Sequence, residues 1–288
     1  MPHSLTIDDL RNAWNAPVER RRRSDVRDLI SIYSNEWKPL LIEKINDRFL
    51  EQNAEKLRAQ PDSSINLLRW VVDEIGAIYT EPCRRTVEGQ ADGLEAYEAG
   101  GLIDQFLDQA CKLTQLCREV AIRPLWNEKK QAFSYDIITP DKFSVIPDPL
   151  DPLEVLAIII KLPGAEMGAQ DCYSVWTEGS HYKADASFRP IDNEQNPEHI
   201  NPYGLIPYVV SHARFPALSF FNEQDSFALR DATLDAGVRM TDHAHLRHFQ
   251  SFKQLAITGT NDEALGRLSL DPSAVALIKN PQASVSVL

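Results

Sequence analysis

The sequence has no long apolar run and little cysteine. Its longest apolar stretch is Val155–Ile160, whereas a membrane-spanning helix needs about 20 such residues. The segment Met1–Asp9 lacks the apolar core of a secretory signal peptide. The four cysteines show no CxxC spacing, so we interpret them as buried or free thiols in a reducing compartment. From these absences we predict no contact with a membrane.

Positive charge is also scarce. The 288 residues include 30 Lys and Arg against 42 Asp and Glu, a net charge of −12. A protein that grips nucleic acid through its phosphates is normally basic, at least locally. The one dense basic run, Glu19–Arg23, is interpreted as a solvated arm. Because 43% of the residues are hydrophobic, the chain has enough apolar material for a folded core.

The common catalytic and nucleotide-binding signatures are missing. The sequence contains no GxxxxGKS/T, GxGxxG, HExxH or GxSxG motif. Ser180–Lys183 fits the loose SxxK pattern, but it falls in a predicted hairpin instead of at the start of a helix. We therefore predict no catalytic residue, no cofactor and no enzyme activity.

The first 120 residues have the pattern of helices. Ser24 can cap a first helix, and Pro39 suits the first turn of a second. Asp62 and Ser63 can cap a third, and apolar spacing predicts a fourth near Gly101–Val120.

From residue 121 to 211 the segments become short and rich in β-branched and aromatic residues. This pattern predicts mainly antiparallel strands, with hairpin tips at Asn127–Lys130 and Glu178–Gly179.

A long helix is predicted next, at about Gln224–Leu255, where there is no proline and one glycine. Apolar residues recur at helical spacing at Phe227, Leu234, Val238, Leu246, Phe249 and Phe252. If continuous, such a helix would span roughly 48 Å. The chain then returns to short strands and turns, and it stops on an alternating apolar run. From this ending we expect the natural chain to be longer.

Three histidines lie close together in the stretch TDHAHLRHFQ. At about 100° per residue on a helix, His245 and His248 are about 60° apart, but His243 is about 160° and 140° from them. One helix therefore cannot present all three to a single ion. A zinc site would need two further ligands from elsewhere. We interpret the cluster as polar side chains on a helix face, predict no metal, and leave a pH-sensitive contact open.

The order of these segments resembles the portal proteins of tailed bacteriophages, the rings that connect head and tail. The resemblance is carried by YSNEW at Tyr33–Trp37, by Asn66–Gly89, by IITPDKFSVIPDPLDP at Ile137–Pro152, by NPYGLIPYVV at Asn201–Val210, and by Asp225–Gly259. NPYGLIP is the most specific of these, since two prolines and one glycine make a rigid entry into a strand.

The resemblance implies an α+β, ring-forming portal fold, usually of twelve subunits. It implies an N-terminal arm at 1–23, a helical wing part at 24–120, a β-rich wing part at 121–220, a stem helix at 221–255 and the start of a clip at 256–288. Members of the family continue with further segments beyond the clip.

The resemblance also implies a location and partners. The ring would assemble in the host cytoplasm and lie at one capsid vertex of the virion. It would contact other copies of itself, the major capsid protein, the neck adaptor protein and the terminase packaging motor. Double-stranded DNA would pass through without sequence-specific binding, and an acidic lumen would suit that passage.

Two sets of candidate residues follow from the implied stem and clip. Candidate channel or inter-subunit positions are Phe227, Leu234, Asp235, Val238, Arg239, Asp242, His245, Leu246, His248 and Phe249. Candidate clip contacts with adaptor or motor are Asp271, Pro272 and Lys279. Asp235 and Arg239, and likewise Asp242 and His245, have the spacing of side chains that pair along a helix.

An alternative hypothesis is a soluble α+β hydrolase or ligand-binding protein with a site near His243–His248. It predicts a monomer or small oligomer. The length of the predicted helix favours the ring, because a pocket does not require a rod of this length.

Overall fold

In the computed structural model, the described residues are 5–49, 51–77, 83, 85, 102–163, 171–191, 196–215, 219–221, 227–251, 255–258 and 284–287. Within these ranges the side chains are described except at 52, 53 and from 248 onwards. The chain combines helices with antiparallel sheets, which confirms the predicted α+β class.

Seven helices and nine strands occupy these ranges. The helices are α1 (Ile7–Asn15), α2 (Pro17–Tyr33), α3 (Lys38–Arg48), α4 (Glu51–Arg58), α5 (Leu67–Ile75), α6 (Ile103–Cys117) and α7 (Phe227–Ser251). The strands are β1 (Glu119–Asn127), β2 (Ala132–Ile138), β3 (Phe143–Pro147), β4 (Val155–Leu162), β5 (Cys172–Thr177), β6 (His181–Ala184), β7 (Val209–His212), β8 (Leu255–Thr258) and β9 (Ser284–Val287).

The chain divides into two compact units, each discontinuous in sequence. Unit 1 comprises Met1–Trp37 and Asn66–Asp231, and unit 2 comprises Lys38–Ile65 and Ala232–Leu288. The ranges expected from the portal resemblance were continuous. The helical segment 38–65 instead groups with the C-terminal part, because a compact unit is defined by long-range contacts that sequence order does not reveal.

Unit 1 is built on two antiparallel sheets. One has the strand order β2-β1-β7, and the other has the order β3-β4-β5-β6. Tight turns join β1 to β2 and β5 to β6. The predicted hairpin tips at Asn127–Lys130 and Glu178–Gly179 lie at these two turns, so both are confirmed.

The four-stranded sheet is buried on both faces. Along β4, Ala157 and Ile159 enter one apolar cluster, while Ile158 enters the cluster on the other face. This alternation is the period-two pattern of a strand. Leu10 and Trp14 of α1 complete the first cluster.

Local sequence signals explain where most helices of unit 1 begin. Thr6 caps α1: its hydroxyl accepts from the Asp9 amide, and the Asp9 carboxylate accepts from the Thr6 amide. Pro17 starts α2, where a missing N–H costs nothing. The Asn66 side chain caps α5 by accepting from the Arg69 amide at 2.9 Å.

Several predicted boundaries need correction. Residues 1–23 were expected to be an arm, but 7–15 and 17–23 are helical. Ser24 is therefore inside α2 and caps nothing. The cap of α5 is Asn66, four residues after the predicted Asp62. Pro39 does lie in the first turn of α3, as predicted.

Within the described residues, the interior of unit 2 is shared by three helices. Its buried apolar residues are Leu41, Ile45, Ala54, Leu57, Leu234 and Val238. After α7, β8 pairs antiparallel with β9, so that Leu255 faces Val287 across the ladder.

The end of the long helix differs from the prediction. The predicted helix end at Leu255 is wrong, because that residue begins a strand. The described helix has 25 residues, roughly 37 Å at 1.5 Å per residue.

No helix within the described residues is both long enough and apolar enough to span a membrane.

Candidate functional site

One side of α7 belongs to the interior of unit 2. Leu234 is 7% exposed, Val238 is 1% exposed and Thr241 is 2% exposed. Their spacing of four and three residues places them on one helical stripe. The Thr241 hydroxyl donates to the Gly237 carbonyl at 2.8 Å and accepts from the Asp62 amide at 2.8 Å. This stripe holds the helix to its own chain.

The opposite side of α7, which we call the outer face, is exposed and mostly polar. It consists of Arg239, His243, Leu246 and Arg247, which lie across the helix from the buried stripe at about 100° per residue. Leu246 is the one large apolar side chain among them and is 49% exposed. The outer face is therefore exposed surface of the described helix that another molecule could contact.

The predicted stem positions consequently divide into two groups. Leu234 and Val238 were expected at a channel or a neighbouring subunit, but they are buried within a single chain. For these two positions the expected contact is replaced by packing inside unit 2. Arg239 and Leu246 lie on the outer face, and Asp242 is half-buried beside it. His245 is half-buried and continues the stripe of Leu234, Val238 and Thr241, four residues after Thr241.

Two more predicted positions have partners in the chain. Asp235 was expected to pair with Arg239, but its carboxylate lies 3.5 Å from the Arg48 guanidinium of α3. Phe227 is half-buried, with the Arg230 guanidinium 4.6 Å from its ring centroid. Arg230 also lies 3.7 Å from the Asp25 carboxylate, so the start of α7 is tied to α2.

The remaining predicted residues lie outside the described part of the chain. This applies to the side chains of His248 and Phe249, and to the clip candidates Asp271, Pro272 and Lys279. Among the side chains that are described, no three His, Cys, Asp or Glu residues come together as ligands of a metal ion. His243 is exposed and His245 is half-buried on α7.

The sequence run Glu19–Arg23 proves to be a buried charge cluster. Arg22 and Arg23 are 8% and 4% exposed. The Arg22 guanidinium lies 2.7 Å from the Glu19 carboxylate and donates to the carbonyls of Pro140 and Phe143. The prediction of a solvated arm is therefore wrong for these two arginines. Arg22 fastens α2 to the segment around β3, and Arg23 fastens α2 to α1 by donating to the Trp14 carbonyl.

Aromatic rings complete this arginine cluster. The Arg22 guanidinium lies 3.6 Å from the Phe221 ring centroid, and that of Arg23 lies 4.0 Å from Trp14. Burial, and next the neighbouring Arg22 charge, lower the pKa of Arg23 to about 10. The Arg23 side chain therefore stays charged at neutral pH.

Ser180–Lys183, the SxxK match, lies at the β5–β6 hairpin as predicted. The Ser180 hydroxyl is 2.7 Å from that of Thr177, an arrangement that stabilises a turn and activates no nucleophile.

Trp176 of β5 and His181 of β6 lie opposite each other in the same hairpin. Their rings stack, with the ring centroids 3.5 Å apart. Burial, with the charges of Arg123 and Lys183, lowers the pKa of His181. Sequence reasoning gave His181 no role. The predicted hairpin, which places His181 opposite Trp176, was the feature from which their contact could have been predicted.

A groove on unit 1 is a feature that sequence reasoning missed. Its volume is about 700 Å³, and it is lined by Leu5 and Leu10, by residues 148–150 and 154–156, by Val175 and residues 177–180, and by Tyr182. We call it the acidic groove, since its lining includes the carboxylates of Asp148, Glu154 and Glu178. None of the residues 243–248 lines it, so it does not support the alternative site near His243–His248.

No known protein family model matches this chain, and no curated protein sequence does either.

Proposed function

We propose that this chain is a portal protein of a tailed bacteriophage, a non-enzymatic subunit of a ring. The observation that carries the proposal is α7 with its continuation. A 25-residue helix with one buried side and one exposed side is followed by a small antiparallel β pair. That succession is what the resemblance implies for a stem followed by a clip.

The order of the preceding elements also supports the proposal. Helices come first, then antiparallel strands, then α7, in the sequence implied for a wing followed by a stem. In this proposal the outer face of α7 is directed toward the lumen or a neighbouring subunit. Such a neighbour contact would be heterologous and would close into a ring.

The net charge of the chain also supports the proposed role as a conduit for DNA. The chain carries a net charge of −12, so a ring of many copies would repel the phosphates of DNA in its lumen. A conduit should not bind its cargo, because neutralising phosphates would slow translocation. The proposed partners remain the capsid protein, the neck adaptor and the packaging motor, with DNA passing through.

The test is the mass of the purified chain in solution, measured by mass photometry at micromolar concentration, together with negative-stain electron microscopy. We expect closed rings. Twelve chains of 32.5 kDa would weigh about 390 kDa, twelve being the usual number in the family it resembles. A stable monomer would contradict the proposal and leave the ligand-binding alternative.

Leu246→Asp tests the outer face directly. This substitution places a charge on an exposed position of α7, so we expect the ring to dissociate while the helical circular dichroism stays unchanged. Leu150→Asp is the matched control, because Leu150 is 96% exposed and lines the acidic groove of unit 1. Equal loss of rings in both variants would argue against a contact through the outer face.

A further inference from the structure

The acidic groove is the uncovered end of an otherwise buried sheet face. Val175, Thr177 and Tyr182 lie on the face that α1 packs against, since Val175 and Tyr182 belong to the same apolar cluster as Leu10. Leu10 lines the groove at the edge of α1. The segment 148–150 forms one wall and the hairpin turn 178–180 forms another. A volume of about 700 Å³ falls within the usual range for sites that bind a ligand or a few residues of peptide.

The charge in this groove has one sign. Of the fourteen lining residues, three are carboxylates and none is Lys, Arg or His. The ion pairs among the described residues do not include Asp148, Glu154 or Glu178. The groove lining therefore carries negative charge that no ion pair among the described residues neutralises, and a cationic partner is complementary to it.

The apolar surface of the groove restricts the partner further. Leu150 is 96% exposed in its wall, and its backbone is fixed by a hydrogen bond from its amide to the Asp148 carboxylate at 2.6 Å. The floor adds Leu156 and Tyr182, both half-buried, above the buried Val175. A leucine held out toward water beside a concave apolar floor gains free energy when another apolar side chain covers it.

We propose that the acidic groove binds a basic amphipathic segment of a partner protein. An apolar side chain of that segment packs on Leu150, Leu156 and Tyr182, and flanking Lys or Arg side chains lie beside the three carboxylates. Phosphate-bearing or acidic partners are excluded by repulsion. The inference does not depend on the proposed ring, because every residue that carries it belongs to unit 1 of one chain.

Fluorescence anisotropy with three labelled hexapeptides tests this proposal on the intact protein. The first probe is Lys-Leu-Lys-Trp-Leu-Lys. The second replaces each lysine with glutamate, and the third replaces Leu and Trp with serine. We expect saturable binding of the first probe, at least about tenfold tighter than either of the others. Equal binding of the first and third probes would overturn the proposal, as would no binding of the first.

Matched variants locate the binding. Asp148→Asn, Glu154→Gln and Glu178→Gln together should weaken binding of the first probe about tenfold. Asn at 148 can still accept from the Leu150 amide, so the wall should keep its shape. The control combines Glu36→Gln, Glu43→Gln and Glu128→Gln, three exposed carboxylates that do not line the groove. It changes the net charge equally and should alter affinity less than about twofold.

Two further results are decisive. Leu150→Ser should weaken the first probe by about threefold or more, because it removes exposed apolar surface from the wall. If both triple variants weaken binding equally, the attraction comes from the net charge of the whole molecule and the groove is not the site. If the serine-containing probe competes fully with the first, the groove binds cations without an apolar anchor and the proposal is wrong.

Discussion

At the scale of single residues, four consecutive arginines have different surroundings. Arg21 is 85% exposed, while Arg22 and Arg23 have side chains 7% and 4% exposed. Buried charges need partners, and here one carboxylate, Glu19, is 2.7 Å from the Arg22 guanidinium and 4.0 Å from that of Arg23. The Ser144 hydroxyl also donates to Glu19, at 3.1 Å. Glu19 therefore holds this cluster together.

We predict that Glu19→Gln lowers the free energy of unfolding by about 2–4 kcal/mol, because it leaves two buried guanidinium groups without a countercharge. The measurement is urea denaturation followed by tryptophan fluorescence. Asp171→Asn is the control: Asp171 and Lys161 form a pair of similar length, 2.8 Å, but both are exposed. Its cost should stay below about 1 kcal/mol. Similar costs for both variants would show that the Glu19 cluster adds nothing beyond a surface pair.

At the scale of elements, the end of α5 shows why helix boundaries were harder to predict than helices. Apolar residues at helical spacing run from Leu67 through Ile75 to Ile78 in the sequence, a pattern that predicts a helix past Gly76, yet α5 ends at Ile75. Gly76 has an ordinary negative φ, so conformation does not require glycine there. Glycine is required there because a larger residue has no room. An added Cβ would lie 3.0 Å from Lys112 Cα and 2.9 Å from the Val72 carbonyl oxygen, and would also meet Lys112 Cγ. α5 and α6 approach each other closely at this residue.

We predict that Gly76→Ala destabilises the protein by about 1–3 kcal/mol, although alanine favours helices, because α5 and α6 must move apart. The midpoint of chemical denaturation measures this effect. Gly179→Ala provides the comparison, since nothing lies within 4 Å of the added carbon; its effect should be within about 0.5 kcal/mol. A neutral or stabilising Gly76→Ala would mean that the two helices separate at no cost.

At the scale of the whole molecule, unit 2 depends on contacts between distant parts of the sequence. Its described interior combines residues of α3 and α4 with Leu234 and Val238 of α7. Unit 1 has its own sheets and apolar clusters.

We predict that Val238→Ala destabilises unit 2 by about 1–3 kcal/mol through the cavity it leaves. Hydrogen exchange measured by mass spectrometry should show faster exchange in α3, α4 and residues 232–247, with little change in β3–β6. Leu246→Ala is the control on the same helix, because Leu246 is half-exposed. Equally faster exchange throughout unit 1 would show that the two units unfold as one.

Local sequence was enough to predict the α+β class, the hairpin tips, the helical character of residues 227–251 and the proline in the first turn of α3. These features depend on local periodicity and turn chemistry, which operate between residues a few positions apart. The same local reasoning gave the three-histidine geometry on α7, where helical angles alone separate His243 from His245.

Tertiary structure decided the features that depend on distant partners. These are the burial of Arg22 and Arg23, the inward side of α7, the pairing of Asp235 with Arg48, and the acidic groove. Phe221 and Trp14, which cover the two guanidinium groups, lie 199 and 9 residues from Arg22 and Arg23. An apolar stripe shows that one side of a helix is covered, but not whether its own chain or a neighbour covers it. In this protein its own chain covers Leu234 and Val238, because residues 38–65 fold back into the same unit.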